Sequence, residues 1–225
     1  MIATAQKSRA PAPTNGMPLV LYVIAFFLTW TAWVVWLYPR LLLLGDRTFS
    51  YALVNLTTRG LIWVAPVFLY VRFVDRTDPI SYLKLAGPWR RGVVVGLLAG
   101  VLNLAGTIAR FGAPHPALGS LTWNSILGTS MLVGFIEEVP FRGFIFQKLG
   151  ERMRTSHAIA VSSLLFVGIH LPGWVSLGTL RAANVVTIFV IGTILAAMFR
   201  WTGSLWSAIV AHSANDFVTA VLFRL

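Results

Sequence analysis

The chain has 225 residues, 57% of them hydrophobic and only 11% charged, with a mean hydropathy of +0.77. A water-soluble domain of average usage carries about 25% charged residues, so these values exclude one and point to an all-α, polytopic transmembrane helical bundle. The net charge of +11 would suggest nucleic acid in a soluble protein, but here the basic residues lie between apolar runs, where they set topology and meet anionic headgroups. The expected partner at this point is the lipid bilayer, with no nucleic acid.

The apolar runs are continuous over about 20 residues rather than alternating over about 10, which excludes an outer-membrane barrel. The chain has no cysteine, which removes disulfides, thiolate metal sites and cysteine nucleophiles.

Residues 1–16 (MIATAQKSRAPAPTNG) read as a disordered tail. Residues 17–225 read as a single transmembrane domain. The first run, 18–38, is too long for the apolar region of a signal peptide and is read as a retained helix. Its tryptophans, Trp30, Trp33 and Trp36, are read as packing residues. The second run, 52–74, carries Arg59 near its start, where the side chain can snorkel to the interface. After the polar connection 75–91 comes a third run, 92–109. The first three spans show no motif of their own. The loop 111–120 contains His115 between two prolines, read as a solvated histidine.

Four more runs follow, at 123–149, 156–171, 183–201 and 204–223. Seven spans is the expectation, with six or eight open if one is re-entrant or 38–50 hides a half-helix. Small residues around Gly192 in the sixth run suit close helix packing. With the N-terminus inside, the inner segments hold Lys7, Arg9, Arg72, Arg76, Lys84, Arg90, Arg91, Lys148, Arg152, Arg154 and Arg200. The outer segments hold only Arg40, Arg47, Arg110, Arg181 and Arg224. That bias predicts a cytoplasmic N-terminus in a cell (inner) membrane.

Three of the late runs carry polar groups that a lipid-facing helix would not keep. The fourth has Glu137, Glu138 and Arg142 in GFIEEVPFRG. The fifth has His170 in FVGIH, and the seventh has His212, Asn215 and Asp216 in HSAND. Residues three or four apart share a helix face. Glu138 and Arg142 therefore pair. Glu137 lies about 100° away round the helix and remains free to meet His170 and His212. Pro140 removes a backbone donor and frees the carbonyl of Ile136, so irregular backbone is expected beside the carboxylates. His157, near the inner end of the fifth run, is read as interfacial.

The chemistry these groups offer is hydrolysis. A carboxylate held away from bulk water is a good general base for water. One histidine can share that water and another can donate to the oxyanion formed at an attacked carbonyl. There is no HExxH motif. Glu137, His170 and His212 could still bind zinc as three ligands with water in the fourth position, so the cofactor is left open between zinc and none.

EEVPFR, FVGIH and HSAND resemble, in this order, the EExxxR, FxxxH and HxxxN/D motifs of the CAAX-protease and bacteriocin-processing family of intramembrane endopeptidases, also called the Abi family. The resemblance covers roughly residues 120–220. It implies peptide-bond hydrolysis of a membrane-associated peptide or protein in a membrane cavity, with Glu137 activating water, His170 assisting, and His212 and Asp216 stabilising the oxyanion. Glu138 and Arg142 would support the architecture. Members have been described both as metalloproteases and as metal-independent glutamate proteases. The last motif position here is Asp216, and an ionised Asp cannot donate; it either carries a proton or orients His212.

Two other readings share these residues. A proton-coupled transporter or channel could relay protons through Glu137, His170 and His212, although the chain shows no internal repeat. A non-catalytic membrane scaffold could retain the same helices.

Overall fold

The computed structural model describes residues 16–114 and 121–223, and among these every regular element is helical. Most of the tail and His115 fall outside the described residues. In chain order the long elements are α1 (Met17–Leu44), α2 (Phe49–Val74), α3 (Trp89–Phe111), α4 (Asn124–Met131), α5 (133–150), α6 (Thr155–Ser176), α7 (Ala182–Thr202) and α8 (205–223). Five of them, α1, α2, α3, α6 and α7, are long and apolar enough to cross a membrane. The polar residues of α5 and α8 keep those two out of that count, and they are the helices that bear Glu137, Glu138 and His212.

Prolines inside the apolar helices widen them rather than break them. Tyr38, just before Pro39, donates its N–H to the carbonyl of Trp33, five residues back. Ala65, just before Pro66, does the same to Gly60. A proline has no N–H and its ring displaces the carbonyl four residues earlier, so that turn re-forms with a wider π-type bond. In lipid this is the available way to keep backbone groups satisfied. At Pro140 the irregularity lies after the proline instead: Val139 donates its N–H four residues back to Phe135, and α5 runs on with π geometry over Val139–Phe146.

The ends of α2, α5 and α7 and the starts of α3, α6 and α8 gather at one end of the bundle. Lys148 Nζ meets Asp75 Oδ2 at 2.9 Å. Gln147 donates to the carbonyl of Tyr82 at 2.8 Å, and the N–H of Leu205 donates to that of Lys84 at 3.2 Å. The Tyr82 hydroxyl donates to Glu151 at 3.1 Å; burial first, then the Glu151 charge, raises the pKa of this phenol and keeps it a donor. Helices alternating in direction require this arrangement.

The interior is built around α8. Glycines 92, 96 and 100 of α3 face it at four-residue spacing: a Cβ on Gly96 would lie 2.6 Å from Val210 Cβ, and one on Gly100 2.7 Å from Ala214 Cβ. On the other side Gly134 of α5 lies against the Ile209 carbonyl and the Ser213 hydroxyl. Small residues at such seams let backbones approach where no hydrophobic effect drives helices together. The third span is therefore not featureless: its glycine seam seats α8. Outward faces are apolar, as at Leu98, Val101 and Leu102 of α3.

Candidate active site

Of the seven acidic residues, only Glu137, Glu138 and Asp216 lie in the site helices α5 and α8, and all three face the imidazole of His212. Nδ1 of His212 is 2.7 Å from Glu138 Oε1, and Nε2 is 3.9 Å from Glu137 Oε2 and 3.8 Å from Asp216 Oδ2. A carboxylate only accepts, so the Nδ1 position carries a hydrogen that it donates to Glu138. Nε2 is then the nitrogen presented between Glu137 and Asp216. Glu137 stands 13 residues from the end of α5, about 20 Å along the helix at 1.5 Å per residue, so the site is deep in the bundle.

Glu138 is fully buried. Its Oε1 also takes Arg142 Nη1 at 2.8 Å, the pair expected from the four-residue spacing. Arg142 is held from two further directions. Nη2 donates to the Gly192 carbonyl at 3.0 Å, where the absence of a side chain on α7 admits the guanidinium. The guanidinium also lies 4.3 Å from the centre of the Phe166 ring.

Phe166 explains why a Phe stands four residues before the histidine of FVGIH. Its ring carries Arg142 and meets both His170 and His212 edge-on, at centroid distances of 5.2 and 5.8 Å. His170 itself sits where α6 breaks, between Gly168 and Leu171. Its Nδ1 bonds the Phe166 carbonyl at 2.8 Å; a carbonyl accepts, so Nδ1 donates and Nε2 is left as the acceptor. Trp30 of α1 donates to the neighbouring Ile169 carbonyl at 2.7 Å and so ties down this break. No hydrogen bond or ion pair joins His170 to Glu137 among the described residues. The structure brings His212 to Glu137, while His170 reaches the cluster through Phe166.

The residue that sequence reading missed is Arg59. Its Nη2 is 2.7 Å from Glu137 Oε1, and its Nη1 donates to the Gly128 carbonyl of α4 at 3.2 Å. Arg59 does not snorkel: it stands ten residues beyond Phe49 on α2, about 15 Å from the helix start. Glu137 is therefore not free; one of its oxygens has a cationic partner. The rule that ionisable residues inside a span mark function applied to Arg59 as much as to Glu137 and was the available signal. Asn215 donates to Asp216 Oδ1 at 3.0 Å and accepts from Asn103 of α3 at 3.4 Å. The neighbouring amide thus orients Asp216. A cavity of about 180 Å³ between α3, α7 and α8 reaches His212 and this asparagine pair.

Glu137, His170 and His212 are not gathered as a zinc set. Among the described residues no three His, Asp or Glu side chains converge to hold a metal ion. Glu137 Oε1 is held by a guanidinium and His212 Nδ1 by Glu138, while Oε2 and Nε2 remain turned toward each other. His157 is exposed at the start of α6, away from the cluster.

Residues 119–218 match the family model of the Rce1-like type II CAAX prenyl endopeptidases. The likeness is confined to this stretch, which is less than half of the 225-residue chain. The matched stretch includes Glu137, Glu138, Arg142, His170, His212 and Asp216, and leaves out α2 with Arg59 and α3 with Asn103. No curated protein and no solved structure matches the chain. The family and the apolar helices together support a multi-pass membrane peptidase.

Proposed function

We propose that this protein is an intramembrane endopeptidase in which Glu137 activates the hydrolytic water. The observation that carries this reading is the division of labour between adjacent carboxylates. Glu138 is saturated on one oxygen by Arg142 and His212 and is sealed from solvent. Glu137 keeps Oε2 directed at His212 Nε2 and retains 8% exposure.

Water hydrogen-bonded to Oε2 loses its proton to Glu137 as its oxygen attacks the scissile carbonyl carbon. The oxyanion is met by the Nε2–H of protonated His212, which Glu138 and Asp216 orient. Glu137 then returns the proton to the leaving amide nitrogen, so the carbon–nitrogen bond breaks to give an acid and an amine. His170, with Nε2 free to accept, assists by holding the water or the substrate. No step is routed through a metal.

The substrate is a membrane-anchored peptide, and the family name points to a prenylated CAAX-type tail. An apolar groove of about 380 Å³ between α2 and α5, lined by Leu56, Gly60, Val64, Phe68, Phe135 and Ile136 among others, suits such an anchor. It lies one residue in sequence from both Arg59 and Glu137. The orientation follows from the basic residues, with the N-terminus and the Lys148–Asp75 end cytoplasmic.

The test uses purified protein in liposomes with internally quenched farnesylated CAAX-type peptides, unprenylated twins and leader-type peptides. Cleavage by wild type and its loss in Glu137→Gln support the reading. Solute or proton flux without cleavage overturns it in favour of a transporter.

A further inference from the structure

We infer that Arg59, on α2 and outside the family-matched stretch, is a positioning residue for hydrolysis: it holds Glu137 by one oxygen so that the other is presented to water. The inference rests on the reading of Glu137 as the base. The guanidinium is fixed at three places. Nη2 meets Glu137 Oε1 at 2.7 Å, Nη1 meets the Gly128 carbonyl at 3.2 Å, and the Trp63 ring lies 5.8 Å from its centre. Trp63 is itself fully buried and packed edge-on against Trp30 at 4.7 Å. The three anchors lie on α5, α4 and α2, and α1 backs the Trp63 ring through Trp30.

A single-oxygen contact differs from the forked pairing that Arg makes with carboxylates elsewhere. It immobilises Oε1 and leaves Oε2 on the side of His212, 3.9 Å from Nε2, too long for a direct hydrogen bond, so that Oε2 is free to take a water. Without Arg59 the glutamate side chain regains rotamers that point Oε2 elsewhere. A misplacement of about 1 Å in a reacting group can cost a factor of about 100 in rate. The two carboxylates thus have separate arginines with separate tasks. Arg142 is delivered by the motif itself and holds Glu138, which orients the histidine. Arg59 is delivered by α2 and holds the base.

The experiment measures kcat and KM of the full chain in liposomes on the farnesylated, quenched CAAX-type peptide, with thermal unfolding as the check on fold. Arg59→Met should lower kcat about 100-fold with KM within about twofold. Arg59→Lys should recover part of that loss, since the ammonium keeps a cationic donor on α2 but not the planar two-nitrogen geometry that meets Oε1 and the Gly128 carbonyl together. Where Arg59→Met does not fold, Arg59→Gln replaces it with the same expected result. Adding Arg59→Met to Glu137→Gln should cost little beyond Glu137→Gln alone, because the arginine acts through that carboxylate. Full kcat in a folded Arg59→Met, or the same drop in KM-limited binding only, overturns the inference while Glu137→Gln remains inactive. An active Glu137→Gln, or a wild type that cleaves no peptide, overturns the reading of the base and the inference with it.

Discussion

His212 Nδ1 lies 2.7 Å from Oε1 of Glu138, the same oxygen that receives Arg142 Nη1 at 2.8 Å. One buried acceptor therefore fixes both the orientation of the histidine and the position of the arginine. Glu138→Gln replaces that oxygen's charge and leaves Arg142 uncompensated in a sealed site. Breaking a buried pair in this way costs about 3–5 kcal/mol. The expected outcome is a large fall in melting temperature and in yield of folded protein. The double variant Glu138→Leu with Arg142→Met should recover most of the stability while cleavage stays absent, because His212 has lost its orienting partner. Thermal unfolding and peptide cleavage, measured on the same preparations, separate the two effects.

Glu137→Gln should behave differently. The amide oxygen still accepts from Arg59, so the stability loss is smaller, about 1–2 kcal/mol. Cleavage should fall by about 10²–10⁴, the range for loss of a general base. A folded Glu137→Gln with wild-type turnover would remove Glu137 from the mechanism.

Phe166 holds three functional groups with one ring. Phe166→Leu removes the surface under Arg142 and the edge contacts to both histidines. Truncating a buried aromatic to a smaller aliphatic leaves a void, and loss of about 1–3 kcal/mol is expected together with at least tenfold lower turnover. Phe166→Tyr keeps the ring but adds a hydroxyl to a closely packed site, and should retain more activity than Phe166→Leu in the same assay.

Gly134 lies where α5 crosses the backbone of α8. A methyl group there meets the Ser213 hydroxyl at 2.5 Å as well as the Ile209 carbonyl. Gly134→Ala must push α5 from α8, and overpacking of this kind costs about 1–3 kcal/mol. Because Glu137 and His212 ride on the two helices being separated, turnover should fall more than stability. Unfolding and kinetics on Gly134→Ala, with Gly150→Ala as a control that meets no atom within 4 Å, check this.

Exhaustive chelation should leave cleavage unchanged, and elemental analysis of active protein should find no stoichiometric metal. The physical reason is the guanidinium 2.7 Å from Glu137 Oε1, which already neutralises this carboxylate and so weakens its hold on a second cation. Loss of activity on chelation with recovery by zinc would show that Glu137 changes partners when the site is loaded.

The helical membrane architecture was legible because apolar length is a local property: a run of about 20 greasy residues can satisfy its backbone in lipid only as a helix. The Glu138–Arg142 pair was legible for the same reason, since four-residue spacing places two side chains on one face wherever the helix lies. Arg59 was not legible as a partner of Glu137. They are 78 residues apart, and no local period connects α2 to α5. The glycines of α3 were visible as letters, but their meaning required knowing that α8 lies against them.

The sequence by itself determined that this is a multi-pass helical membrane protein and which polar residues of the late spans avoid lipid, because both follow from the cost of exposing polar groups to hydrocarbon. The tertiary structure alone decided which of those groups meet. Glu137, first read as an unpartnered carboxylate beside a structural ion pair, has an arginine of its own. His212 faces all three acidic residues of the site helices, and His170 reaches the cluster through Phe166. The reason is that pairing between helices depends on their rotation and depth, which are set by glycine seams and aromatic packing distributed along the whole chain.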